Sequence, residues 1–200
     1  MRSHPHPALF GILILPFGAS VGFLQVAAPW WFANAGLNLA QIAAISAIAF
    51  APHAYKIFWV PLIDLGPHRK LWYLLCSLAT AALLASAAMV HDPGKHVALL
   101  TVLLTASQAA AATSSAALDA LMATCCRDED KGRAGGWYMA GNVGGTGILG
   151  AAAIWLGEHY SATAAGAFTA GVVILSTLPA LTLVEPRDRL QAGSVVAAIR

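Results

Sequence analysis

Apolar residues in this chain come in long runs broken by short polar stretches, with no alternation of apolar and polar positions. The runs cover about Ala8–Phe32, Leu39–Val60, Leu71–Val90, Val97–Ala123, Gly136–Leu156 and Ala162–Val184. About 20 residues at 1.5 Å per residue cross roughly 30 Å of hydrocarbon, so each run is of membrane length. Continuous runs predict helices, since a membrane barrel shows ten-residue alternating segments. The pattern predicts an all-α membrane protein with six transmembrane helices over residues 1–184. A cytoplasmic tail, or the start of a central loop, follows over 185–200.

Polar residues inside the runs predict which faces meet protein or water. The fourth run carries Thr101, Thr105, Gln108, Ala112, Ser115 and Asp119, spaced by 4, 3, 4, 3 and 4. At about 100° per residue these fall within an arc of roughly 80°. Polar groups in hydrocarbon are costly unless paired or wetted, so this face looks into an aqueous cavity or a helix interface. In the first run Gly11, Gly18, Gly22, Gln25 and Pro29 share a stripe, and Gly18 with Gly22 forms a small-xxx-small contact. In the fifth run Gly141 and Gly145 permit close approach, with Tyr138 and Asn142 on the same side. The third and sixth runs read as lipid-facing supports.

Composition agrees. Hydrophobic residues make up 58% of the 200 and charged ones 10%, at a mean hydropathy of +0.70, whereas soluble domains hold about 25% charged residues. The charges are lopsided. Of the 11 Lys and Arg, only Lys95 falls on one side of the predicted spans; Arg2, Lys56, Arg69, Lys70, Arg127, Lys131, Arg133, Arg187, Arg189 and Arg200 fall on the other. That asymmetry predicts both termini in the cytoplasm. The segment MRSHPHP is too short and proline-broken for a secretion signal, so the first run reads as a retained helix. Cys76, Cys125 and Cys126 offer neither a disulfide framework nor metal-ligand spacing. No nucleophile–base pair, metal cluster or phosphate loop points to an enzyme. No cofactor, metal or nucleic-acid partner is expected.

Between the second and third runs lies a charged hinge, Ala51–Tyr73, with Lys56, Asp64, Arg69 and Lys70. Asp64 stands where a carboxylate meets the N-terminal amides of the next helix and Arg69. Asp119 has two readings: a structural pair with Arg133 or Lys131, or a proton and substrate group. Gln25 and Gln108 read equally as interhelical hydrogen bonds or as solute ligands. Lys56 reads as a residue snorkelling beside Trp59 or as a contact for an anionic solute, and His53 as a satisfied helix contact or a titrating group.

The run PFGASVGFLQVAAPWWFANAGLNLAQIAAISAIAFAPHAYKIFWVPLID resembles the first two helices of the AmpG-like (muropeptide permease) transporters of the major facilitator superfamily. The segment LDALMATCCRDEDKGRAGGW resembles that family's Asp-Ala-Leu stretch and the charged loop after it. The resemblance implies the N-terminal six-helix half of a two-half fold, with helices 1 and 4 lining a cavity near the bilayer midplane. A second half is then needed from further chain, a second copy or a separate partner. It implies transport of a small polar or anionic solute by alternating access, proton-coupled, in a bacterial inner membrane. The pathway residues would be Gln25, Gln108, Ser115, Asp119 and Asn142, with Ser115 standing where the family commonly has a carboxylate. Lys56, Asp64, Arg69, Lys70 and Arg133 would form the gate, with Asp64 and the basic pair as its latch. The alternative is a non-transporting membrane assembly factor of the same fold.

Overall fold

The computed structural model describes residues 5–61, 63 and 68–185, and within these the chain is helical with no strand. The helices are α1 (Ala8–Asn34), α2 (Leu39–Tyr55), α3 (Arg69–Ala88), α4 (Val97–Cys125), α5 (Asp128–His159) and α6 (Ala162–Thr182). All but α2 are long and apolar enough to cross a membrane. The second run was expected to do the same. Instead α2 has 17 residues, about 26 Å, and passes at Lys56 into a short 3-10 turn ending at Phe58. Pro52 lies inside α2, the chain turns at Trp59 and Val60, and helical geometry resumes at Pro61 and Ile63, with proline in the position where a missing amide costs least. Asp64 lies outside the described residues.

The connection AGLN between α1 and α2 is built from a stop and a start. Gly36 takes φ +83°, which lets the Leu37 amide bond back to the Phe32 carbonyl at 3.1 Å and closes the end of α1. Asn38 then accepts from the Gln41 amide at 2.9 Å, and the Gln41 side chain accepts from the Asn38 amide at 3.0 Å. That reciprocal pair satisfies two amides that would otherwise lack partners as α2 begins.

Helix α1 is the hub, with 67% of its most apolar window buried against 17% for α5. It crosses α5 on a glycine seam. A methyl on Gly141 would collide with the Gly11 carbonyl, and one on Gly22 would lie 2.5 Å from the Thr146 carbonyl. One on Gly18 would lie 2.9 Å from the Asn142 carbonyl. Both helices widen into single π turns here, Phe23–Ala27 in α1 and Gly145–Leu149 in α5. Pro29 cannot donate to the Gln25 carbonyl, which accounts for the widening in α1.

Packing divides the interior by depth. An apolar cluster at the Lys95 end holds Phe23, Phe32, Leu84, Leu100 and Leu104; another at the basic end holds Phe10, Ile14, Tyr73, Leu118 and Leu121. Small residues, Ala19, Ala81, Ala170 and Val173, form a third cluster. Around that small-residue packing sit buried Ser20, Ser77, Thr80, Ser107, Gln108 and Thr169. On α3 and α6 most of the polar residues turn inward, while Leu71, Leu75, Leu78, Ile174, Leu175 and Leu181 face out. Outward faces of leucine and isoleucine are what lipid tails accept.

Candidate transport site

Gln108 sits at the crossing of α1, α2 and α4, fully buried. Its Nε2 donates to the Ser20 carbonyl at 3.1 Å, and its Oε1 lies 3.0 Å from His53 Nε2. Ser20 is 12 residues from one end of α1 and 14 from the other, so this crossing is at mid-depth. One turn of α4 further, Thr113 accepts from Trp59 Nε1 at 3.1 Å and donates to the Ala109 carbonyl at 2.8 Å. These two contacts tie α2 and the turn after it to α4, and the Gln108 amide carries the tie on to α1.

The α4 stripe therefore divides along its length. Thr101 and Thr105 return their hydroxyls to carbonyls of their own helix at 2.8 and 2.6 Å. Ser115 is 4% exposed and bonds the Ala112 carbonyl at 3.0 Å, which leaves it turned away from the open face. Asp119 is exposed on that face. The polar side chain nearest it is Tyr138 of α5, and the cation whose field reaches it is Lys56. The loop cations are engaged elsewhere: Lys131 with Asp128 at 2.7 Å and Arg133 with Asp130 at 3.6 Å.

The remaining expected pathway residues lie on the seam between α1 and α5. Gln25 is exposed within the π turn of α1 and has no side-chain partner among the described residues. Asn142 is half-buried one turn before the π turn of α5, and its carbonyl accepts from Thr146 at 3.0 Å. Gln25 and Asp119 stand at different depths. Gln25 is 17 residues along α1 from the basic end, about 26 Å, and Asp119 is 6 residues from the basic end of α4, about 9 Å.

At the basic end stands a carboxylate from beyond the sixth predicted run. Glu185 accepts from the backbone amides of Arg69 and Lys70 at 3.2 and 3.3 Å. Lys70 Nζ reaches back to the carbonyls of Leu181 and Leu183 at 2.7 and 2.9 Å. The first turn of α3 and the end of α6 are thus clasped together. Tyr138, Trp59, Thr113 and Glu185 join the site only through the tertiary structure. Tyr138 on the Asn142 side of α5 and Trp59 beside Lys56 are the two of these that the sequence singles out.

No group of His, Cys, Asp and Glu that could hold a metal occurs among the described residues. The sequence model of the family described as Major Facilitator Superfamily matches residues 9–197. No curated protein matches the chain.

Proposed function

The chain belongs to the major facilitator superfamily of membrane transporters, and we propose that it forms the N-terminal six-helix half of a proton-coupled transporter. In this reading α2 counts as the sixth span, both termini lie in the cytoplasm, and a second half faces the exposed sides of α2, α4 and α5. The solute is small and polar or anionic, carried by alternating access across a bacterial inner membrane. The AmpG-like motifs quoted above make muropeptides one candidate class, beside siderophores and acyl-CoA-type solutes.

The observation that carries this reading is Asp119, an exposed carboxylate within a membrane-length helix whose neighbouring loop cations are already paired. A carboxylate in that setting is functional by default. Gln25 and Asn142 stand ready for the solute along the seam between α1 and α5. The clasp of Lys70 and Glu185, together with Asp64, serves as the cytoplasmic gate, and Lys56 and Arg133 border it. Remaking those contacts biases the two conformations.

Uptake of a metabolite pool into energised vesicles bearing the full protein is the test. Uptake should collapse with an uncoupler and in Asp119→Asn. Uptake indifferent to both removes proton coupling through Asp119. No uptake of any solute, with a stable stoichiometric partner, favours the assembly factor.

A further inference from the structure

We infer that His53 is a proton-binding site at mid-depth in the bundle, and that Gln108 is the positioning residue that fixes its tautomer and links it to α1. The Ser20 carbonyl can only accept. The Gln108 group 3.1 Å from it must therefore be the amide NH2. That orientation points the Gln108 oxygen at His53 Nε2, 3.0 Å away, and an oxygen there can only accept. His53 Nε2 must then carry a hydrogen in the neutral ring as well as in the charged one. The proton that comes and goes belongs to Nδ1.

The ring is flanked by aromatic side chains and has one cation nearby. His53 is half-buried, with Phe17 of α1 edge-on at 5.4 Å and Phe50 of its own helix at 4.3 Å. α1 offers the ring only Phe17, and α4 offers Gln108, neither of which titrates. In the 3-10 turn after α2, Lys56 stands one turn away, and its field reaches the ring. Asp119 lies 11 residues beyond Gln108 on α4, about 17 Å along the axis. Gaining a proton at Nδ1 keeps the bond to Gln108 and strengthens it, since a charged donor bonds roughly twice as strongly as a neutral one. Proton binding thereby tightens the junction of α2 with α4 and, through the same amide, with α1. Its use in transport rests on the proposed proton-coupled reading; the binding site itself needs no solute to be seen.

The test is nitrogen NMR on the full chain, labelled with 15N-histidine and held in lipid nanodiscs, from about pH 5 to about pH 9. Of the 7 histidines, one should show the neutral Nε2–H form at high pH and gain its proton at Nδ1 as pH falls. That signal should be absent in His53→Gln. In Gln108→Leu it should become a mixture of both neutral tautomers, which assigns the signal even if His53→Gln does not fold. A His53 signal in the Nδ1–H form, or one that never titrates over this range, overturns the inference. A titrating His53 in a chain that takes up no solute removes the transport reading and leaves the site standing. A silent His53 beside uncoupler-sensitive uptake removes this inference alone.

Discussion

The Glu185 carboxylate accepts the Lys70 backbone amide at 3.3 Å while the Lys70 ammonium bonds carbonyls just before Glu185. Each residue thus caps the other's helix end: an anion at the N-terminus of α3, a cation at the C-terminal end of α6. Both charges complement the local helix dipole. Loss of such a cap costs about 1 kcal/mol, with up to about 1 more from the dipole. Glu185→Ala should therefore lower stability in detergent by about 1–2 kcal/mol. Glu185→Gln keeps a neutral acceptor and should lose about half of that. Thermal unfolding of the three proteins decides it, and equal losses for Ala and Gln would mean the carboxylate charge contributes nothing.

The glycine seam gives a sharper contrast. A methyl at Gly141 would overlap the Gly11 carbonyl and lie 2.7 Å from the Ile14 side chain, and backbone cannot step aside. Overpacking of this kind costs about 1–3 kcal/mol, so Gly141→Ala should lower the unfolding temperature clearly. Gly144, nearly one turn on, has nothing within 4 Å of its would-be methyl. Gly144→Ala should be neutral or gain up to about 1 kcal/mol by restricting the unfolded chain. Similar losses at both positions would place the seam elsewhere.

These elements differ in how far the sequence announces them. Apolar run length fixes five of the spans, and Gly36 with Asn38 announces the turn between α1 and α2, because each depends on neighbours within a few residues. The Gly18 and Gly141 contacts follow from spacing alone. Glu185 is hidden, since it caps a helix starting 116 residues earlier. The α4 stripe is legible as a stripe, yet its arc is too wide to say that Ser115 faces inward and Asp119 outward. Rotation about the helix axis is decided by α1 and α2, which supply partners to Gln108. The π turns leave no periodic signal at all, because one extra residue shifts the register only locally.

Tyr73 is 1% exposed, and its hydroxyl donates to the Leu13 carbonyl at 2.7 Å, joining α3 to α1 just before Pro16. Hydrogen bonds inside membrane bundles average about 0.6 kcal/mol and reach about 1.7. Tyr73→Phe keeps the ring packing and should cost within that range. Tyr73→Ala removes the ring too and should cost about 3–5 kcal/mol. Denaturation of the three proteins in one detergent measures the difference, and a Phe variant as damaged as Ala would mean the hydroxyl holds the whole junction.

Trp59 and Thr113 form an unequal pair, and the inequality predicts an asymmetry. The Thr113 hydroxyl accepts from Trp59 Nε1 at 3.1 Å and also donates to the Ala109 carbonyl at 2.8 Å. Trp59→Phe leaves Thr113 with its bond to Ala109, so nothing is orphaned, and the loss should stay near 0.5–1.5 kcal/mol. Thr113→Val leaves the half-buried indole N–H facing a methyl group, adding a desolvation penalty of about 1–3 kcal/mol. The valine variant should therefore be the less stable of the two, although it changes fewer atoms. It should also red-shift the Trp59 emission, as the indole turns toward water to recover a partner. If Thr113→Val proves the milder change and the emission stays put, the hydrogen bond between α2 and α4 carries no weight in holding them together.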